Sequence, residues 1–284
     1  MRATVAPFHT KERGEGLTAP RQRRTLSLMT KVRADTTSFV YVTLAFCILS
    51  LVQLATPLAY AEQTVVELMA VQSPPMAMAD GEEPGAVLEL ATAAVERAGL
   101  KPKVTFIPWR RAQEMVSGGK DVLITPLTWL PSRADKFTWI GPICRMERSI
   151  ASIKDRIDSL DQAKRERRIL VVGAGSAQEI QLRDWGYPSD LIVATPLGTR
   201  EAEMLASGRV DGWYSGTAQI RWRWNREGRK ERLIIGNAIV VDQIHLACSR
   251  DCDPTLAATL RGALQSLRDD GTADRILARY DLYY

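Results

Sequence analysis

Three features of residues 62–284 predict an α/β fold: short apolar runs alternate with amphipathic stretches, glycines stop several of those stretches, and the order comes in two sets followed by a tail. In the first set, Thr64–Val71 reads as a strand and Pro84–Ala98 as an amphipathic helix. Val104–Ile107 is a second strand, and Arg110–Ser117 is a helix stopped by Gly118-Gly119. Val122-Leu123-Ile124 is a buried strand. Pro126 and Pro131 forbid helix and cut the ladder, which places Thr128 and Arg133 on irregular backbone, free to face a ligand.

The second set runs strand Ile169–Val172, helix Ala177–Trp185, strand Leu191–Ala194 and helix Thr199–Ser207 with Gly208 at its end. Strand Gly212–Tyr214 and a helix from about Thr217 complete it. In the tail, Gln243–Cys248 reads as a strand, and Asp253-Pro254 opens a helix through Asp269 with Gly271 as its stop.

Ahead of this body lies a basic leader. Residues 1–61 hold eight Lys/Arg against three Asp/Glu, the whole of the chain's formal charge of +5. Phe39–Leu58 follows without a charge, and Ala59-Tyr60-Ala61 supplies the small residues a signal peptidase reads. Cleavage after Ala61 and export are therefore expected, with Met29 an alternative start; an uncleaved Phe39–Leu58 would instead anchor the chain. The neutral body gives no reason to expect nucleic acid. Arg221-Trp222-Arg223-Trp224-Asn225-Arg226, the one basic aromatic cluster, reads as the solvated face of a helix.

Beyond the leader stand Cys144, Cys248 and Cys252. The CSRDC spacing at 248–252 could close a local loop, while Cys144 is a rival partner for Cys248. His245, the one histidine of the body, sits among apolar residues in a structural setting, so no metal site is expected.

Asp121–Pro142, DVLITPLTWLPSRADKFTWIGP, carries a hydroxyl and an arginine five residues apart, a guanidinium fork suited to a carboxylate. This segment resembles the ligand clamp of the bacterial periplasmic solute-binding proteins of family 3, the polar amino-acid class of ABC transporters. Ser73-Pro74-Pro75, Gly85-Ala86-Val87-Leu88-Glu89-Leu90, Pro108-Trp109, Gly208-Arg209-Val210-Asp211 and the run from Leu267 to Tyr280 match that family's landmarks in order. The resemblance implies a type II periplasmic-binding-protein fold of two α/β lobes. Residues 62–142 with 249–284 would form lobe 1 and residues 143–248 lobe 2, joined by hinge strands near Pro142–Met146 and His245–Cys248.

It also implies that Thr128 and Arg133 hold a ligand carboxylate, completed by Gly175 and Ser176 where Gly173-Ala174-Gly175-Ser176 leads into a helix N-terminus. The aspartate that pairs an α-ammonium in this family falls at Gly216 here, which places a standard α-amino acid in doubt; Glu89 is the next acid to consider. Trp109 and Trp213 read equally as pocket walls or core. The expected protein is a non-catalytic, monomeric component of an ABC importer, without cofactor or metal, whose partners are a small ligand and a permease. The competing readings are a dehydratase-like enzyme acting on a cyclic carboxylic acid and a tethered sensor domain.

Overall fold

The computed structural model describes residues 63–79 and 83–284. The expectations for the leader, including Phe39–Leu58 and cleavage after Ala61, lie outside the described residues. One sheet runs through the described residues, with helices on both of its faces. Its strands are β1 (Val65–Ala70), β2 (Lys101–Phe106), β3 (Leu123–Thr128), β4 (Phe137–Ser152), β5 (Leu170–Gly173), β6 (Ile192–Thr195), β7 (Gly212–Gly216), β8 (Ile234–Ile235) and β9 (Val240–Ser249). They lie in the order β2-β1-β3-β9-β4-β7-β5-β6, with β8 against β4.

Parallel pairs β1·β2, β1·β3, β5·β6 and β5·β7 stand at the two wings, and the antiparallel pair β4·β9 stands between them. The helices are α1 (Ala86–Arg97), α2 (Trp109–Ser117), α3 (Leu160–Arg165), α4 (Ala177–Asp184), α5 (Glu201–Ala206), α6 (Thr217–Arg226), α7 (Pro254–Asp269) and α8 (Thr272–Ala278).

The period of two along each strand divides the core. In the first wing Leu68 and Leu123 pack with Leu90, Leu264 and Leu267 of α1 and α7, whereas their neighbours Met69 and Ile124 pack on the opposite face with Trp109 and Val116 of α2. The second wing repeats the scheme. Leu170, Val172 and Tyr214 meet Leu160 and Leu182, while Val171 and Trp213 meet Leu205, Ile220 and Trp224. Each buried Leu or Ile contributes on the order of 1.5–3 kcal/mol of transfer free energy, so both wings hold a substantial core of their own.

Local signals set the helix starts. Asp253 accepts from the N–H groups of Thr255 and Leu256 ahead of Pro254, and Ser176 accepts from that of Glu179. Such caps are worth about 1 kcal/mol each.

Three expectations need correction. Thr128 lies on strand rather than irregular backbone: β3 continues through Pro126 by a bulge between Ile124 and Leu127, and Thr128 pairs with Ile244. The strand expected near Pro142–Met146 extends far beyond it in both directions, because β9 and then β7 supply ladder partners along its length. The third is an omission: helix α3, and α8 beyond the Gly271 stop, are separate elements that the sequence reading did not set apart. The cysteines resolve in favour of the local loop: Cys248 and Cys252 form a disulfide, and Cys144 is a free, buried thiol.

Candidate functional site

The parallel strands of both wings end toward one cavity. Ser73 follows β1, Thr128 ends β3, Trp109 opens α2, and Ser176 and Gln178 open α4 beyond β5; all line it, with Arg148 and Gln219 from the second wing and Arg133 from the turn after β3. Clefts beyond the carboxyl ends of parallel strands, where helix N-termini converge, are where α/β sheets hold ligands. The cavity measures about 30 Å³, room for water rather than for an amino acid in the conformation seen.

Arg133 is fixed by the one-turn 3₁₀ helix Pro131–Arg133 and is only 3% exposed. One terminal nitrogen donates to the Thr128 carbonyl at 3.0 Å and the other to the Gly175 carbonyl at 2.9 Å. Its Nε–H is buried and has no partner among the described residues. Burial, reinforced by the charge of Arg148, holds the guanidinium down at about 10, against a weaker opposing pull from Asp242.

Arg148 is buried as well. Its Nε donates to Asp242 Oδ2 at 2.8 Å, and its terminal nitrogens donate to Thr128 Oγ1 at 3.1 Å and, at 3.4 Å, to Gln219 Oε1. Gln181 Nε2 donates to both Asp242 oxygens, at 2.9 and 3.2 Å, and the Tyr214 hydroxyl donates to Gln181 Oε1. Burial pushes the Tyr214 phenol well above its ordinary value, so it stays a donor. Gln219 Nε2 continues the chain to Ser73 Oγ at 3.0 Å.

Gly175 joins the wings. It adopts φ +74°, and a Cβ there would come within 2.6 Å of the Arg110 side chain. Its N–H donates to Glu179, whose oxygens also accept from Arg110 and Arg183. Burial alone would raise the Glu179 carboxyl, but these donors together bring it below its ordinary range. The N–H groups of Ala177 and Gln178 start the same helix and have no earlier turn to donate to.

Of the residues expected at a site, Thr128, Arg133, Trp109 and Ser176 line one cavity, and Gly175 does not line it but accepts from Arg133 through its carbonyl. Glu89 and Trp213 do not line it. Glu89 accepts from Arg279 and from the Tyr280 hydroxyl, because α1 turns its apolar face to the sheet and leaves Glu89 beside the C-terminal segment. Trp213 packs into the second wing's core with the Arg223 guanidinium 5.3 Å from its ring centroid, on the face of β7 covered by α5 and α6. Arg223 is buried too, bonded to Glu201 and Glu227, so the basic cluster is only in part a solvated face.

Arg148, Asp242, Gln181 and Gln219 are the site residues that sequence reasoning missed. A signal existed: Met146, Arg148 and Ile150 alternate on one face of β4, and Asp242, Ile244 and Leu246 on one face of β9. Opposite charges at inward positions of two apolar strands point to a buried pair.

The family model for bacterial extracellular solute-binding proteins, family 3, matches residues 66–282. No curated protein sequence matches the chain. Among solved structures, a histidine kinase sensor domain with similarity to periplasmic binding proteins superposes with a TM-score of 0.71 at 18% identity, covering 78% of this chain and 98% of its own. The GluR0 ligand-binding core from Nostoc punctiforme, solved with L-glutamate, gives 0.66 at 16% identity over 76% of this chain and 98% of its own. An amino acid ABC transporter substrate-binding protein from Streptococcus pneumoniae, bound to L-arginine, gives 0.66 at 18% identity over 76% and 94%. These likenesses show the type II periplasmic-binding-protein fold, and the match over residues 66–282 places this chain in family 3 of the bacterial extracellular solute-binding proteins.

Proposed function

We propose that the protein is the substrate-binding component of an ABC importer: exported after cleavage near Ala61, it captures a small carboxylate-bearing solute between its lobes and hands it to a permease. The observation that carries this reading is the Arg133 Nε–H, buried at the cavity with no partner among the described residues. A buried cationic donor left over is strongly unfavourable, and an anionic oxygen is the acceptor that matches it.

Lobe 1 would comprise residues 62–142 and 249–284, lobe 2 residues 143–248, with hinges near Pro142–Met146 and His245–Cys248. The bonds from Arg133 to Gly175, from Arg110 to Glu179 and from Gln219 to Ser73 each link the two, which supports capture by closure. Among the described residues no carboxylate, imidazole or thiol lines the cavity, which favours binding over the acid–base chemistry of the dehydratase reading.

A thermal-shift screen of the purified protein against carboxylic acids tests this, since a solute bound only by the native state raises the melting temperature. A hit retained by Arg133→Ala at full affinity would remove Arg133 from the site. The fold shared with a histidine kinase sensor domain keeps one second reading, a tethered sensor. Intact-mass analysis separates the two: a mature chain beginning at Glu62 supports the importer component, and one retaining Phe39–Leu58 supports the sensor.

A further inference from the structure

We infer that the solute is a carboxylate with no α-ammonium group, a 2-oxo acid or a similarly amine-free acid, and that the Arg148–Asp242 pair sets this preference. The inference rests on the carboxylate reading above and deepens it.

The argument is a census of donors and acceptors. Among the described residues, two guanidinium groups, Arg133 and Arg148, line the cavity, and no carboxylate does. Two buried acids stand behind the lining, and both are fully engaged. Asp242 accepts from Arg148 and from Gln181 on both oxygens; Glu179 accepts from Arg110, Arg183 and the Gly175 N–H.

Four neutral acceptors of the wall are engaged as well. Ser73 Oγ receives Gln219, Thr128 Oγ1 receives Arg148, Ser176 Oγ receives the Glu179 N–H, and Gln219 Oε1 receives Arg148. What remains at the cavity is mostly donors: the Arg133 Nε–H, the hydroxyl hydrogens and the first N–H groups of α4, beside the Gln178 amide, which offers a neutral acceptor and no charge. With Arg148 and Asp242 cancelling, the site holds one uncompensated positive charge, which a monoanion neutralises. A zwitterionic amino acid would add a second cation with no carboxylate to face it among the described lining residues and would be repelled by both guanidiniums.

A side chain at Gly216 does not supply the missing acid, and the space it would occupy is taken. A Cβ there would come within 2.6 Å of Gln219 Oε1 and 2.7 Å of the Met146 sulfur. Asp242 is thus a positioning residue: it is close enough to matter for charge, but its carboxylate aims Arg148 at the Thr128 hydroxyl rather than facing the solute.

The experiment is calorimetric titration of the natural protein, purified from cells expressing the full chain, with matched pairs at one pH and salt concentration: pyruvate and alanine, 4-methyl-2-oxopentanoate and leucine, phenylpyruvate and phenylalanine, 2-oxoglutarate and glutamate. In every pair that binds, the oxo acid should bind at least tenfold more tightly. Equal or tighter binding of the amine-bearing member overturns the inference and leaves the carboxylate reading standing. Absence of binding by both members of all four pairs overturns the carboxylate reading itself.

A second arm assigns the cause. Arg148→Gln frees the Asp242 carboxylate from its guanidinium partner, and the oxo-to-amino affinity ratio should fall at least tenfold. A purely structural role for Arg148 would weaken both members alike and leave the ratio unchanged, which would remove the pair from the explanation. If that variant does not fold, the wild-type ratios still decide the ligand class.

Discussion

The Arg110 guanidinium on α2 reaches across the cleft to both oxygens of Glu179 on α4, at 3.1 and 2.9 Å. The two ends differ in exposure, 62% for Arg110 and 7% for Glu179, so the pair is a rim contact anchored on a buried acid. Glu179 is held independently by the Gly175 N–H and by Arg183, which leaves Arg110 as the part free to swing. Arg110→Ala should therefore weaken solute binding by only about 0.2–1 kcal/mol, the scale of exposed ion pairs, and the loss should shrink as salt is raised. Titrations of wild type and variant at two ionic strengths check this.

Arg133 sets binding against stability. Burial and Arg148 bring its guanidinium from its ordinary 12.5 to about 10. Below pH 10 both folded and unfolded chains carry the charge, so the cost is present in full at neutral pH; it lifts only as pH rises from about 10 toward 12.5. Taken at face value the shift is about 3 kcal/mol against the folded state. Arg133→Met should leave the solute-free protein at least as heat-stable as wild type at pH 7, while weakening carboxylate binding by roughly 2–5 kcal/mol. Paired thermal melts and titrations test both halves.

Glu201 and Arg223 form a second buried pair, away from the cavity, at 2.6 Å with side chains 2% and 6% exposed. Removing one partner strands the other charge. Glu201→Gln should destabilise the fold by about 3–5 kcal/mol in denaturant unfolding. The ratio of affinities among solutes should stay unchanged, since neither residue lines the cavity.

Cys144 should be inert in the native state. Burial pushes its thiol up to about 12, outweighing the opposing effect of Arg148, so the reactive thiolate is scarce at pH 8. Thiol titration of the chain from Glu62 onward, without reductant, should find no reactive group in native buffer and one in denaturant, with Cys248 and Cys252 held as the disulfide. A native-state reaction would place Cys144 at the surface.

The alternation of strands and helices was legible because each follows a local period. Runs such as Leu170–Gly173 and helices such as Pro254–Asp269, with its Asp253 cap and Gly271 stop, announce themselves within a few residues. The first half of the site was legible for the same reason: Thr128 and Arg133 are five residues apart around prolines. Arg148 and Asp242 are 94 residues apart and meet only because β4 and β9 pair, a non-local register that no window of sequence contains. Glu89 was misplaced for the converse reason. Its position along α1 is clear from the sequence, but the partner it faces, Arg279, is set by how the C-terminal segment folds back.

In the proposed two-lobe division β4 and β9 carry the chain from one lobe to the other, and their ladder slips register between Trp139 and Gly141 and again between Pro142 and Cys144. β3 pairs with β9 beside both slips, and each bulge adds local twist to the ladder. In that division the slips mark where the connection would bend, with Arg148 and Asp242 on one side of them and Thr128 and Arg133 on the other. On the proposed closure mechanism, the resting angle there would set the fraction of molecules already shut before solute arrives, and apparent affinity scales with the fraction poised to receive it. A substitution at the slips, far from any solute atom, would therefore retune the capture threshold without changing which solute is preferred.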